Sequence, residues 1–323
     1  MAKPVFKYTI GGDYVCKYRN ISTAARDLSL NESSIRRAIT EDRTVLGKYK
    51  FSDVRKMVTT PQENTHKDSI LILDIETAPM KGYIWNVWQQ NIYPEQMISD
   101  FFILSWSAKW LGEPRIFSQV LSPEEVFAEN DKEIMYNLWR LLDEAVIVIT
   151  HNGKKFDIPK INSRLVVNGF IPPSPYKQID TLQIARTEFG FTRNSLESLS
   201  AVFGLNGKIK VDFNLWKECM NGSSEHLNKL CEYNENDILV LEDVYLKLRP
   251  FAKNHPNLDM YVDSDKPTCP HCGSYNIELI SNKYFYTQAV RYQVYRCGNC
   301  SAVSRTKKGI KFEHKKQVAS IPR

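Results

Sequence analysis

Apolar positions along the chain fall into three regimes. In residues 1–57 they come in short alternating runs and small helical repeats. Phe6–Ile10 and Tyr14–Tyr18 flank Gly11-Gly12-Asp13, a pattern that favours a β-hairpin around a glycine turn. Ile21–Leu28 carries Ala24, Ala25 and Leu28 at helical spacing, with Ser22 as the expected N-cap. The turn Leu28-Ser29-Leu30 leads to a second helix, Glu32–Ile39, capped by Asn31 and turning Ile35, Ala38 and Ile39 inward. Thr44–Phe51 returns as a strand. Val58–Lys67 is polar and aperiodic, contains Thr59-Thr60-Pro61, and reads as a linker.

From residue 68 to 253 the pattern alternates between periods. Ser69–Ile75, Phe102–Trp106, Arg115–Val120 and Val146–Thr150 have strand-length apolar runs. Asp131–Leu142, Lys160–Val167, Ser195–Phe203 and Glu225–Leu248 have helical spacing, and Asn194 three residues before Glu197 suggests a variant capping box. Early strands followed by helix alternation predict an α/β sheet with helices on both faces. Beyond residue 265, Tyr275–Ile280 and Tyr284–Tyr295 again read as strands. No run approaches the roughly 20 apolar residues of a membrane span, and the first residues lack an apolar signal region. The expectation is an intracellular, cytoplasmic protein with no membrane partner.

Charge changes this picture. The net +6 divides into two basic ends and an acidic middle. Residues 1–57 hold 12 Lys/Arg against 6 Asp/Glu, residues 256–323 hold 11 against 5, and residues 58–255 hold 20 against 26. Chance variation among solvated faces is one account. The sharper one is that the ends hold a polyanion while the middle holds metal ions.

Three short patterns carry candidate chemistry. In Leu71-Ile72-Leu73-Asp74-Ile75-Glu76-Thr77, two carboxylates at i and i+2 interrupt an apolar strand and share one face of the sheet. They repel unless a cation lies between them, and Mg²⁺ or Mn²⁺ suits such hard oxygen ligands. In Thr150-His151-Asn152-Gly153-Lys154-Lys155-Phe156-Asp157, a strand passes through a glycine turn into a helix; Asp157 fits a ligand or a simple helix cap. In Tyr233-Asn234-Glu235-Asn236-Asp237, Tyr233 and Asp237 share one helix face, as a functional pair or an ordinary surface pair.

Taken together, in this order and over about 160 residues, the three patterns resemble the DEDD superfamily of 3′→5′ exonucleases, tyrosine subclass. The likeness covers residues 68–253 and is greatest to free-standing proofreading-type domains such as those of phages, which would place the protein in the host cytoplasm. It implies a ribonuclease H-like mixed five-stranded sheet. It also implies a two-metal site held by Asp74, Glu76, Asp157 and Asp237, with Tyr233 orienting the attacking water and 5′-mononucleotides as product. The substrate would be DNA with a 3′ end, RNA being the alternative, with a separate DNA polymerase as a possible partner. A DNA-binding protein with an inactive nuclease domain is a further alternative. The family contacts its terminal base near Thr77 and Met80; Asn152, Lys154 and Lys155 are candidate phosphate contacts, and Tyr83, Trp85 and Trp88 candidate stacking residues. Asp180-Thr181 reads as a cap or turn.

The flanks add two modules. Cys269-Pro270-His271-Cys272 and Cys297-Gly298-Asn299-Cys300, separated by 24 residues, offer four thiolates for one structural Zn²⁺ and resemble a zinc ribbon over 265–304. His271 is expected to shape the turn rather than bind the ion. The basic tail 305–323, with Lys315-Lys316, can grip nucleic acid, although a ribbon that binds protein is the competing reading. Residues 1–57, from Gly12-Asp13-Tyr14-Val15 to Gly47-Lys48-Tyr49-Lys50-Phe51, are similar to the modular helix-turn-helix repeat that accompanies homing-type endonucleases. That implies DNA binding through Arg36, Arg37 and Lys48; a helical hairpin that merely packs on the main domain is the alternative.

Overall fold

The structure is a computed structural model. It describes residues 5–9, 14–18, 20–41, 43–46, 49–52, 70–86, 88, 91–205, 209, 211–261, 266–288 and 290–310. The chain forms two compact units, Met1–Thr65 and His66–Arg323.

In the first unit, β1 (Val5–Thr9) pairs antiparallel with both β2 (Tyr14–Tyr18) and β3 (Tyr49–Ser52). Helices α1 (Ile21–Asp27) and α2 (Glu32–Thr40) pack against this sheet around Ala24, Ala25, Ile35, Ala38 and Phe51. The expected cap moves by two residues: Asn20, not Ser22, accepts the Thr23 N–H at 2.8 Å, while α1 begins at Ile21 as expected. Asn31 stands at the cap position of α2 but makes no side-chain cap bond. The last strand is shorter than expected, because Val45 and Tyr49 bridge to each other before pairing with β1 begins. The Gly11–Asp13 turn, Lys48, the 58–67 linker and residues 311–323 of the tail lie outside the described residues.

The second unit is built on a five-stranded mixed sheet, in the order β10-β9-β4-β7-β8. These strands are β4 (Ile70–Thr77), β7 (Ile103–Trp110), β8 (Ile116–Val120), β9 (Ile147–Thr150) and β10 (Lys177–Asp180). β4, β9 and β10 run parallel; β7 and β8 run antiparallel to their neighbours. Strand alternation divides the core into two layers. Leu71, Leu73, Ile75 and Val148 pack toward α4 (Lys132–Glu144) and α5 (Asp157–Val167). Ile70, Ile72, Ile147 and Ile149 pack toward Ile238, Leu241 and Tyr245 of α9 (Ser224–Leu248). α9 also crosses the antiparallel strands on polar contacts: Ser105 to Asn234, Ser118 to Glu235 and Lys109 to Glu242.

Several smaller elements escape the periodicity. The short strands β5 (Lys81–Gly82) and β6 (Met97–Ser99) pair after β4. α3 (Pro123–Phe127), α6 (Thr181–Glu188), α7 (Leu196–Val202) and α8 (Phe213–Met220) complete the shell. α5 begins at Asp157 rather than Lys160, and the cap of α7 is Ser195, which accepts from Ser198 N, rather than the Asn194–Glu197 pair. Asp131, at the head of α4, takes no capping role because its carboxylate is committed elsewhere. It accepts from Ile103 N, Arg164 Nε at 2.7 Å, Arg164 Nη2 at 2.9 Å and Asn168 Nδ2. A final three-stranded antiparallel sheet, β11 (Ile277–Tyr286), β12 (Arg291–Cys297) and β13 (Val303–Arg305), follows α9. Among the described residues no helix is long and apolar enough to cross a membrane.

Candidate active site

Asp74 and Glu76 lie at the end of β4, on the sheet face that Ile70 and Ile72 also use. Helix α9 covers that face and brings Tyr233 and Asp237, one turn apart, against the strand end. Carboxylate oxygens of Asp74, Glu76 and Asp237 all lie within 4.8 Å of one another. Asn234 Nδ2 donates to Asp74 Oδ2 at 2.6 Å, and its Oδ1 faces the Ser105 hydroxyl at 3.4 Å, so the neighbour of Tyr233 fixes the Asp74 rotamer. Tyr233 is 5% exposed and meets Trp216 edge to face. Its hydroxyl is held far above the usual tyrosine range, first by burial and then by the Asp237 and Glu76 charges. It therefore stays protonated and remains a hydrogen-bond donor beside the carboxylates.

Asp157 lines the same cleft but stands apart from this cluster. Strand β9 pairs with β4 only as far as Ile72↔Ile149. Beyond that point the Ile75 N–H donates to Asp157 Oδ1 at 3.3 Å. Asp157 is 2% exposed, and burial, with the Asp180 charge adding, pushes its carboxyl from 3.8 up to about 7. The loop leading to it is tightly specified. Asn152 adopts φ 70°, and a Cβ on Gly153 would lie 2.1 Å from Thr150 Oγ1, so only glycine fits there. Asp180 is more than the expected cap. It accepts from Leu182 N and Gln183 N of α6 and also from Asn152 N and Lys154 N, tying the loop to β10. His151 Nδ1 lies 2.8 Å from Thr181 Oγ1, whose hydroxyl donates to Thr150 O.

The cleft encloses about 690 Å³. Its far wall comes from α6 and the loop that leads into α7: Arg186, Thr192, Arg193, Asn194 and Ser195. Arg186 and Arg193 are exposed, and Asn194 Oδ1 is a buried acceptor with no partner among the described residues. No local motif marks these residues; only the return of the chain past β10 brings them to the carboxylates. Of the expected substrate contacts, Asn152 lines the cleft, whereas Thr77, Met80, Lys154 and Lys155 do not. Lys154 Nζ instead reaches Gln183 Oε1 at 2.9 Å. Tyr83, Trp85 and Trp88 are exposed, Trp85 at 94%. Arg36 and Arg37 are exposed on α2 of the separate first unit.

Residues 71–249 match the family model of the RNase_H superfamily, more than half of the chain. The chain belongs to the RNase_H superfamily. All five of Asp74, Glu76, Asp157, Tyr233 and Asp237 fall inside the matched RNase_H segment. Among solved structures, the family B DNA polymerase from the hyperthermophilic archaeon Pyrobaculum calidifontis is similar at 13% identity and a TM-score of 0.43, over 56% of this chain and 24% of the polymerase. The chain thus spans about a quarter of that protein's length. No curated protein matches the sequence.

Outside the RNase_H segment lies the cysteine cluster. Sγ atoms of Cys269, Cys272, Cys297 and Cys300 all lie within 4.8 Å of one another, with Cys269–Cys300 and Cys272–Cys297 at 3.6 Å. The two halves are built alike. Gly273 (φ 70°) and Ser301 (φ 65°) turn left-handed after each pair and return their N–H groups to Cys269 O and Cys297 O. His271 is directed away: its Nε2 donates to Ala252 O at 3.0 Å and its ring packs on His255. The His255 imidazole accepts from the Tyr245 hydroxyl of α9 at 2.8 Å. Leu258 N–H donates to Pro270 O. The cysteine module is therefore anchored on the far end of the helix that carries Tyr233 and Asp237.

Proposed function

We propose that the chain is a metal-dependent 3′→5′ exonuclease that hydrolyses DNA phosphodiesters to 5′-mononucleotides. The observation that carries this reading is the convergence of Asp74, Glu76 and Asp237 within 4.8 Å beside a protonated Tyr233, in a cleft whose opposite wall holds two arginines. The donor set fits the group it would hold. Every candidate ligand atom is a carboxylate oxygen, which suits Mg²⁺ or Mn²⁺, with Asp157 as a fourth carboxylate in the cleft wall. Such ions supply Lewis-acid polarisation of the scissile phosphate and of the attacking water.

The chain's own residues perform the remaining tasks. Asn234 and Ser105 hold the Asp74 carboxylate in one orientation. Tyr233, whose burial holds its hydroxyl above the usual tyrosine range, offers its O–H to orient the attacking water. Arg186 and Arg193 neutralise backbone phosphate as it enters, and Asn194 Oδ1 accepts from a sugar hydroxyl or base N–H. The four sulfur donors of the second cluster suit one structural Zn²⁺, with no coordination position left for catalysis. In this reading residues 68–253 are the exonuclease domain of the tyrosine subclass and 265–304 a zinc ribbon. Residues 1–57 are a helix-turn-helix module binding DNA through Arg36, Arg37 and Lys48, and a separate polymerase is a candidate partner.

The test is release of mononucleotides from 3′-labelled and 5′-labelled single-stranded DNA, duplex DNA and RNA, with Mg²⁺ and with EDTA. Expected are Mg²⁺-dependent release from the 3′ end of DNA and its loss in Asp74→Asn and Asp237→Asn. Preferential hydrolysis of RNA would move the substrate assignment, and undiminished activity of either variant would refute the site.

A further inference from the structure

The β11–β12–β13 sheet bears large aromatic residues that do not form a core. Tyr284, Phe285 and Tyr286 of β11 are all exposed. By register, Phe285 lies opposite Tyr292, and Arg305 of β13 pairs next to them on the same face. The Arg305 guanidinium sits over both rings, 4.2 Å from Tyr292 and 5.3 Å from Phe285. On the other face Arg291 sits 4.5 Å from the Tyr284 ring, beside Tyr286. An isolated hairpin gains some stability from such stacked pairs. That gain accounts for the arginines but not for three consecutive large rings left in water.

Charge identifies the partner. Residues 266–310 contain 7 Lys/Arg and a single acid, Glu278. Exposed rings interleaved with cations suit a strand that presents flat, unstacked bases along a polyanionic backbone. A duplex keeps its bases stacked on one another and offers these rings nothing to stack on.

Position gives the surface a use. Tyr245 and Ala252 hold His255 and His271, so the sheet's module is fastened to the end of α9. Asp237 and Leu248 are eleven residues apart on that helix, about 17 Å along its axis. We propose that the aromatic–arginine sheet is a single-strand nucleic-acid platform that grips the strand upstream of the end held in the cleft. This rests on the nuclease reading for the direction of the strand, not for the binding itself.

The experiment uses the full chain carrying Asp74→Asn, so that bound oligonucleotide is not consumed. Fluorescence anisotropy measures affinity for labelled oligo(dT) and for a blunt duplex of equal length. Phe285→Leu with Tyr286→Leu should weaken oligo(dT) binding by about tenfold or more, with zinc content unchanged and a smaller effect on the duplex. Phe285→Tyr with Tyr286→Phe keeps both rings and should bind as the parent does. In the active background the leucine pair should raise KM on long single strands while leaving turnover of a dinucleotide unchanged. Unaltered oligo(dT) affinity in the leucine pair overturns the platform and leaves the face to a protein partner. Equal losses on single strand and duplex overturn the single-strand assignment. Failure of the wild-type chain to cleave sinks the nuclease reading alone, because binding is measured without cleavage.

Discussion

Replacing Asp157 with Asn tests the electrostatics of the cleft most directly. Asp157 is almost wholly buried, and its carboxyl is pushed from 3.8 to about 7 by burial, with the charge of Asp180 adding and the Ile75 N–H opposing. The native state thus holds the proton over a range in which the unfolded chain has released it. The stability this confers is complete at low pH, falls from about pH 4, and is lost as pH rises through about 7; above that both states are ionised and the curve is flat. A shift of about three pH units at 1.36 kcal/mol per unit is on the order of 4 kcal/mol. Asn keeps an oxygen for the Ile75 N–H and removes the charge. Urea unfolding in Mg²⁺-free buffer, without chelator so that any metal held by the four cysteines is not stripped, should show Asp157→Asn close to wild type at pH 4 and markedly more stable at pH 8, while losing nuclease activity. Mg²⁺ should narrow the gap by stabilising the wild-type carboxylate. A stability difference that does not grow with pH would refute the burial argument.

Arg164→Ala should destabilise by roughly 3–5 kcal/mol in the same assay, because it leaves the fully buried Asp131 carboxylate without its cation. Gly153→Ala should cost about 1–3 kcal/mol, since its Cβ would collide with Thr150, and should reduce activity by displacing the Asn152–Asp157 loop. Tyr233→Phe keeps the ring against Trp216 but removes the hydroxyl; kcat should fall by about tenfold or more, with the Mg²⁺ concentration for half activity unchanged.

The strands of the sheet, the Asp74–Glu76 pair and the Tyr233–Asp237 pair were legible in short-range periodicity; that the two pairs meet was implied only by the resemblance to the DEDD superfamily. An apolar strand broken by acids at i and i+2 placed Asp74 and Glu76 together, and a one-turn spacing placed Tyr233 near Asp237. The thiolate cluster followed from two Cys-x₂-Cys turns. Features that depend on where separate segments meet were not legible. β10 has only Ile179 as an apolar signal, so the strand and the following α6 went unread, and with them the arginine wall of the cleft. Asp157 lines the same cleft as the other three carboxylates, but its bond from the Ile75 N–H depends on β9 ceasing to pair with β4 before that residue, which no local pattern marks. Asn20 replaced Ser22 as a cap because both side chains are competent and the backbone turns at Asn20 first.

The two-layer core around β4 limits how this gene can drift. Ile70 and Ile72 face α9 with the two acids, while Leu71, Leu73 and Ile75 fill the opposite layer. Deleting or inserting one residue upstream in this strand would turn both acids into the apolar layer and push leucines toward the cleft. Length changes here are tolerable only in steps of two, whereas point substitutions among Ile, Leu and Val at these buried positions cost about 0.5–1.5 kcal/mol each. The strand should therefore vary more in which aliphatic it uses than in its count of residues.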